Sequence, residues 1–262
     1  MRQGPFARSA PLGCPPSDCR CRFFPVGMKQ IIARIARPAV EAIVRPLLRS
    51  QYSHSGAGED RFVIAWLQVV YGLDASAIRY CDIGANHPRT LNNTFALYER
   101  GARGVLVEPD PDQAALLRQM RPCDTVLNVG AAFDERRSAK LQRFTSSVFN
   151  TFSASQGDFV LQNSKNWSPE QLQNRRDEIE IPLVPVNEIL ATHFPHGVHF
   201  ISIDAEGFDF QILQSIDFAR YRPKLVCIEA ATGQKEFDAF FNPIGYDYIM
   251  RSPDNFIYRL VR

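Results

Sequence analysis

Two short apolar runs, each ending in a glycine turn or an acid, constrain this chain more than any other feature. Tyr80-Cys81-Asp82-Ile83-Gly84-Ala85-Asn86 reads as a strand that runs into a glycine-containing turn. After a helix-length stretch comes Gly104-Val105-Leu106-Val107-Glu108-Pro109-Asp110, a second apolar run that ends in a carboxylate. A strand, turn, helix and strand in that order form a βαβ unit, and such units build parallel sheets. The alternation continues, with strands predicted near 78–83, 104–108, 124–129, 199–204 and 224–229 and helices at 90–100, 111–120, 207–216 and 234–241. Two last runs, Tyr246 to Met250 and Asn255 to Val261, are close enough to pair as an antiparallel hairpin around Ser252-Pro253-Asp254. The fold class is therefore α/β, a mostly parallel sheet covered by helices on both faces.

The chain has 262 residues, of which 45% are hydrophobic and 22% charged, enough apolar surface to bury one sizeable core. Lys and Arg exceed Asp and Glu by two, so bulk charge makes no electrostatic case for nucleic acid as the partner. The basic excess is local: Arg2, Arg8, Arg20, Arg22, Lys29, Arg34, Arg37, Arg45 and Arg49 face only Asp18 and Glu41 in residues 1–50. The six cysteines do not form a disulfide framework for a chain of this length, and a reducing cytoplasm suits them. Cys14, Cys19 and Cys21 lack a nearby fourth ligand and have poor spacing for zinc.

Residues 1–27 carry no hydrophobic periodicity and read as a disordered or over-called extension, with Met28 as the natural start. Residues 28–50 read as a basic amphipathic helix, interrupted by Pro38 and Pro46. Over residues 29–49 this helix is expected to pack on its own domain or on a second subunit of a homo-oligomer, or to lie peripherally on the inner face of an anionic membrane. No stretch approaches the roughly 20 apolar residues that span a bilayer, and the sequons at Asn92 and Asn166 read as chance. Residues 51–262 form the main domain. Within it the polar interval 134–186, with Phe144, Phe149, Phe152, Phe159 and Trp167, breaks the alternation and reads as a lid or acceptor-binding segment.

Ligands in open α/β sheets sit beyond the carboxyl ends of the strands. Here those ends supply Asp82, Gly84, Asn86, Glu108, Asn128, Asp204, Glu206 and Glu229, which include five acids and no lysine. Gly84 lets backbone approach a ligand closely, Asp82 and Asn86 can hydrogen-bond it, and Glu108 suits a ribose diol. No complete G-x-G-x-x-G occurs, so a pyrophosphate cradle is missing and a nicotinamide-dependent oxidoreductase is disfavoured. An acid-rich rim suits a cationic nucleoside, and S-adenosylmethionine is the one that fits. Each acid alone is more often a helix cap or a surface carboxylate; their joint placement carries the reading.

These segments resemble the FkbM family of S-adenosylmethionine-dependent methyltransferases over roughly residues 50–262. The matching residues are Gly58-Glu59-Asp60, Asp82-Ile83-Gly84-Ala85-Asn86, Gly104 to Pro111, Ile203-Asp204-Ala205-Glu206-Gly207-Phe208 and Ile228-Glu229. The resemblance implies a class I, Rossmann-like methyltransferase fold with a seven-stranded sheet, and transfer to an oxygen, often a sugar hydroxyl in a polysaccharide or glycosylated natural product. Asp82, Gly84, Ala85, Asn86, Glu108, Asn128 and Ala131 are the expected cofactor-binding residues. Asp204 or Glu206 would act as general base, with His87 a third candidate. A divalent metal bridging Asp204 and Glu229 is an alternative that is not favoured, because two acids make an incomplete hard-cation site. His193, His196 and His199 read as loop histidines rather than metal ligands. A catalytically inactive binding protein that keeps the fold is the alternative function.

Overall fold

The computed structural model describes residues 53–166, 172–230 and 232–261. The N-terminal extension, the amphipathic helix read over 28–50 and Trp167 lie outside the described residues. The chain begins with helix α1 (Glu59–Ala65), which runs into a π-helical turn at Trp66–Val70. Then come β1 (Arg79–Ile83), α2 (Phe95–Glu99), β2 (Arg103–Val107), α3 (Pro111–Met120), β3 (Thr125–Leu127) and β4 (Gly130–Ala132). The middle of the chain supplies β5 (Ser138–Phe144), α4 (Ala154–Asn163), β6 (Arg175–Pro185) and α5 (Val186–His193). The last third contains β7 (Phe200–Ile203), α6 (Asp209–Ser215), α7 (Phe218–Tyr221), β8 (Leu225–Glu229), α8 (Gln234–Phe241), β9 (Tyr246–Arg251) and β10 (Asn255–Leu260).

Seven strands form the main sheet in the order β3-β2-β1-β7-β8-β10-β9. β10 runs antiparallel to both β8 and β9, and the other pairings are parallel. The expected C-terminal hairpin is thus present. The strand order reverses between β1 and β7, and the cleft at such a reversal is where α/β sheets bind ligands. Side chains alternate across the central strands. Cys81, Ile83, Ile201, Ile203, Val226 and Ile228 face one core under α5, α6 and α8. Tyr80, Leu106, Phe200, Leu225, Cys227 and Ile257 face the other, covered by α1, α2 and α3. Period-two burial on both faces is what a near-continuous apolar strand implies.

Two expectations need correction. The helix predicted over 90–100 is only Phe95–Glu99, because Leu91 takes a left-handed conformation (φ 54) and the Asn92 side chain caps the turn ahead of the helix. The interval 134–186 is not an irregular polar segment: it folds largely as a second sheet of order β4-β6-β5, with β5 antiparallel and β4 parallel to β6. The sequence showed only the strand-like run Ile179 to Val186 at the end of the interval; the first half of β6 carried no apolar pattern because most of its residues face water.

Polar ties hold this second sheet to the first. Arg143 on β5 reaches Asp110 (3.3 Å), Asp112 (3.0 Å) and Asp177 (2.7 Å). The turn after β5 adds Ser147 Oγ donating to Asn86 Oδ1 (2.8 Å), Asn150 Nδ2 to Asp110 Oδ2 (2.7 Å) and Thr151 Oγ1 to the Glu206 carbonyl (2.7 Å).

Candidate active site

A cavity of about 260 Å³ opens beyond the carboxyl ends of β1, β2, β7 and β8, at the reversal of strand order. Ile83, Gly84 and Asn86 line it from the β1 turn, Val107, Glu108 and Pro109 from β2, and Asp204, Ala205 and Glu206 from the β7 turn. Glu229, Asp254 and Asn255 form one end; Ser147, Val148, Asn150 and Phe152 close it from the second sheet. Among the described residues, none on this wall is Lys, Arg or His.

The two ends of the cavity differ. At the β1–β2 end Gly84 has φ 82, and a methyl group on it would overlap the Asp204 carbonyl oxygen. Only glycine lets the ends of β1 and β7 come this close. Glu108 is held by two backbone donors, Asn86 N to Oε2 (2.6 Å) and Asp110 N to Oε1 (2.8 Å). Burial pushes its carboxyl up to about 8, with those two hydrogen bonds opposing the rise. Ala131 lines the cavity, whereas Asn128 does not: its Nδ2 donates to the carbonyls of Glu108 (2.9 Å) and Pro109 (2.8 Å), bracing the loop from behind. Ala85 is buried in the core under α1 and α2, its N–H donating to Val107 O (3.2 Å).

Asp82 does not reach the cavity. It shares the strand face of Tyr80, so its carboxylate turns under α2 and accepts from Thr94 Oγ1 (2.6 Å) rather than from a ligand. His87, the third candidate base, is also absent from the wall: its Nδ1 accepts from the N–H groups of Arg89 (3.1 Å) and Thr90 (2.9 Å). Both are loop-building contacts, and the strand alternation that sends Ile83 one way sends Asp82 the other.

The β7–β8 end concentrates carboxylates. Asp204, Glu206 and Glu229 are all raised, first by burial and then by nearby carboxylates, Asp204 by Asp209, Asp82 and Asp254 and the two glutamates by Asp204 and Asp209; Asp204 rises to about 7 and the glutamates further. Asp209, at the start of α6, accepts from Ala205 N (2.6 Å) and Gly207 N (3.2 Å), which folds the Asp204–Gly207 turn. That turn places Glu206 at φ 48 and Gly207 at φ 105. Carboxylate oxygens of Asp204, Asp209 and Glu229 lie within 4.8 Å of one another, close enough to hold a hard cation. The histidines near β7 form no such group among the described residues: His199 Nδ1 accepts from Arg79 N (2.9 Å) and pairs β7 to β1.

Sequence reasoning did not single out Ser147, Asn150 and Asp254 on the cavity wall or Asp209 behind it, and it placed Phe152 only within the segment read as a lid or acceptor-binding element. Asp209 had a local signal, an acid at a helix start just after the glycine turn. The others come from the second sheet and the hairpin, brought in by tertiary contacts alone.

The description "Methyltransferase FkbM domain" belongs to the family profile that matches residues 82–252. The chain belongs to the FkbM methyltransferase family. It is an S-adenosylmethionine-dependent methyltransferase, and its sheet is that of the class I fold expected from the sequence. Among solved structures it is similar to an O-methyltransferase from Bacillus cereus in complex with SAH, at 13% identity over 86% of this chain and 90% of that one (TM-score 0.40). It is also similar to the methyltransferase domain of METTL16, at 13% identity over 85% and 95% of the two chains (TM-score 0.39). No curated protein matches it.

The methyltransferase's own residues suit that cofactor. A glycine-only approach at Gly84, a fixed carboxyl at Glu108 and an apolar wall of Val107, Leu141 and Val148 would suit a nucleoside, and among the described residues this wall offers no cation for a pyrophosphate. The cofactor supplies an electrophilic methyl group on a sulfonium. With the cofactor bound, Glu108 is the residue that would meet the ribose hydroxyls, and the protein's remaining part would be to keep the acceptor in line.

Proposed function

We propose that this methyltransferase transfers the methyl group to a hydroxyl of an uncharged sugar, in a glycan, a polysaccharide or a glycosylated natural product. One observation carries the reading: the end of the cavity farther from Glu108 presents the carboxylates of Asp204, Glu206 and Glu229 without a cationic side chain. Carboxyl groups exchange hydrogen bonds with hydroxyl groups, while a phosphate-bearing acceptor would find no cationic partner on the described wall. The family resemblance supports the sugar, and nucleic acid is disfavoured on the same electrostatic ground.

In this mechanism Asp204 is the general base. Its carboxyl rises least of the three, to about 7, which leaves it able to take a proton near neutrality. Glu206 and Glu229, raised further, donate a hydrogen bond from their protonated forms and orient the acceptor hydroxyl. A second reading, a divalent cation on Asp204, Asp209 and Glu229, rests on their oxygens lying within 4.8 Å. Asp209 already accepts two backbone hydrogen bonds in the turn, so the base reading is preferred.

The test is methyl transfer from isotopically labelled S-adenosylmethionine to a panel of neutral glycosides, oligosaccharides, nucleotide sugars and RNA, with and without EDTA. Label in a neutral saccharide, insensitive to EDTA, is expected. Label in RNA would sink the sugar reading, and loss of transfer in EDTA restored by Mg²⁺ would favour the metal. If Asp204→Asn binds SAH as the parent does, its turnover should fall by about 100-fold or more; unchanged turnover rules Asp204 out as the base. No affinity of the parent for either cofactor form would point to the inactive binding protein.

A further inference from the structure

The Glu108 end of the cavity is bounded by a loop whose shape is set by residues that do not line the cavity. Asn86 is the pivot: its φ is 44, a left-handed conformation that asparagine tolerates better than most non-glycine residues, and its N–H donates to Glu108 Oε2 at 2.6 Å. The carbonyls on either side of it, Ala85 O and His87 O, accept from one amide, Asn92 Nδ2, at 3.0 and 3.3 Å. The opposite end of that amide, Oδ1, accepts from Thr94 N (3.0 Å), Phe95 N (2.8 Å) and Arg121 Nη1 (3.1 Å).

Three donors converging on Oδ1 settle which way the Asn92 amide points, so Nδ2 must face the loop carbonyls. Arg121 is itself immobile. It is 0% exposed, with Nε on Asp124 (2.8 Å) and Nη2 shared between Tyr80 OH (2.8 Å) and Thr94 Oγ1 (3.0 Å). Thr94 Oγ1 in turn donates to Asp82, which explains why this acid of the glycine-turn motif is buried away from the cavity.

We infer that Asn92, oriented by Arg121, is a positioning residue for cofactor binding: it clamps the carbonyls flanking Asn86 and thereby fixes the Asn86 N–H on Glu108. The Asn92-Asn93-Thr94 triplet, a sequon by pattern, is here a structural clamp, its asparagine only 3% exposed. The inference rests on S-adenosylmethionine binding and is independent of which acceptor is methylated.

Asn92→Asp tests it, because the substitution is isosteric. The retained Oδ1 still accepts from Thr94, Phe95 and Arg121, while the other oxygen now opposes two carbonyl oxygens instead of donating to them. SAH titration calorimetry on the full chain should show affinity weakened by about tenfold or more, while the melting temperature, lowered by the hydrogen bonds lost at buried acceptors, should fall no further than in Phe241→Ala. The effect should also be less than additive with that of Glu108→Gln, since both act on one contact. Phe241→Ala, which loosens the opposite face of the sheet, serves as the control and should melt lower yet bind SAH normally. Should Asn92→Asp fail to fold, Asn92→Ser keeps a cap for the helix start but cannot reach the loop carbonyls, and the same two readouts apply. Unchanged SAH affinity in the folded variant, or full additivity with Glu108→Gln, would overturn the inference; so would an affinity loss matched by Phe241→Ala at equal destabilisation.

Discussion

Gly84 and Glu108 show how little of the site's chemistry depends on a unique side chain and how much on where backbone can go. At Gly84 an added methyl meets the Asp204 carbonyl, and the left-handed φ of 82 adds a cost of about 1–2 kcal/mol for any other residue. Gly84→Ala is therefore expected to abolish SAH binding while the circular dichroism stays that of an α/β protein; calorimetry decides, and measurable binding would mean that the two strand ends can separate without harm. The glycine and the acid after the second run were both legible in the sequence. That Asp82 turns inward was not, because a motif read along the chain does not say which face of the strand the first acid occupies. His87 was misread for a similar reason: its ring is committed to the N–H groups two and three residues ahead of it, a local turn that a search for bases does not see.

Among the elements, the second sheet matters most. Its strands β5 and β6 hang on the main sheet through Arg143, which lies against Asp110, an acid with 1% exposure. Removing the guanidinium in Arg143→Met leaves a buried acceptor short of a charged partner, a loss of about 1.5–3 kcal/mol. The variant should melt lower, and residues 138–151 should exchange amide hydrogen faster; unaltered exchange there would show that the other ties suffice. The C-terminal hairpin is secured by aromatic stacking instead. Phe241 stacks on Tyr258 at 4.2 Å and packs edge-on to Phe218, so Phe241→Ala should cost about 3–5 kcal/mol in urea unfolding. Helices 111–120 and 234–241 matched their predicted bounds, since each begins after a clear cap or glycine and carries its own apolar stripe. Of the second sheet only the end of β6, the apolar run from Ile179, was legible, because its first half faces water and carries no apolar pattern.

For the whole molecule, the gathering of acids at one edge of the sheet couples stability to pH. Glu108 and Asp204 have folded-state pKa values raised above those of the unfolded chain, to about 8 and about 7. The native state then holds protons that the unfolded state releases first, so this stabilisation is complete below the ordinary carboxylate range and is lost as pH rises through these values. From these two groups the cofactor-free protein should melt progressively lower between about pH 4 and about pH 8. The thermal shift given by cationic S-adenosylmethionine, relative to that of SAH, should widen over the same range. A melting temperature that is flat or rises across the interval would contradict this. Membrane attachment through residues 29–49 belongs to the same scale as a proposal; among the described residues no helix is long and apolar enough to cross a membrane. Taken by itself, the sequence determined the α/β alternation, the glycine turn, the acid after the second strand and the carboxylates after the fourth and fifth parallel strands, since these depend on local period, turn chemistry and order along the chain. The tertiary structure alone decided that Asp82 accepts from Thr94 on the far side of the strand from the cavity, that Asn92 holds the loop carbonyls, and that Ser147, Asn150 and Phe152 close the cavity. Those contacts join residues far apart in the chain, and their geometry comes from which faces the packed sheets present to each other.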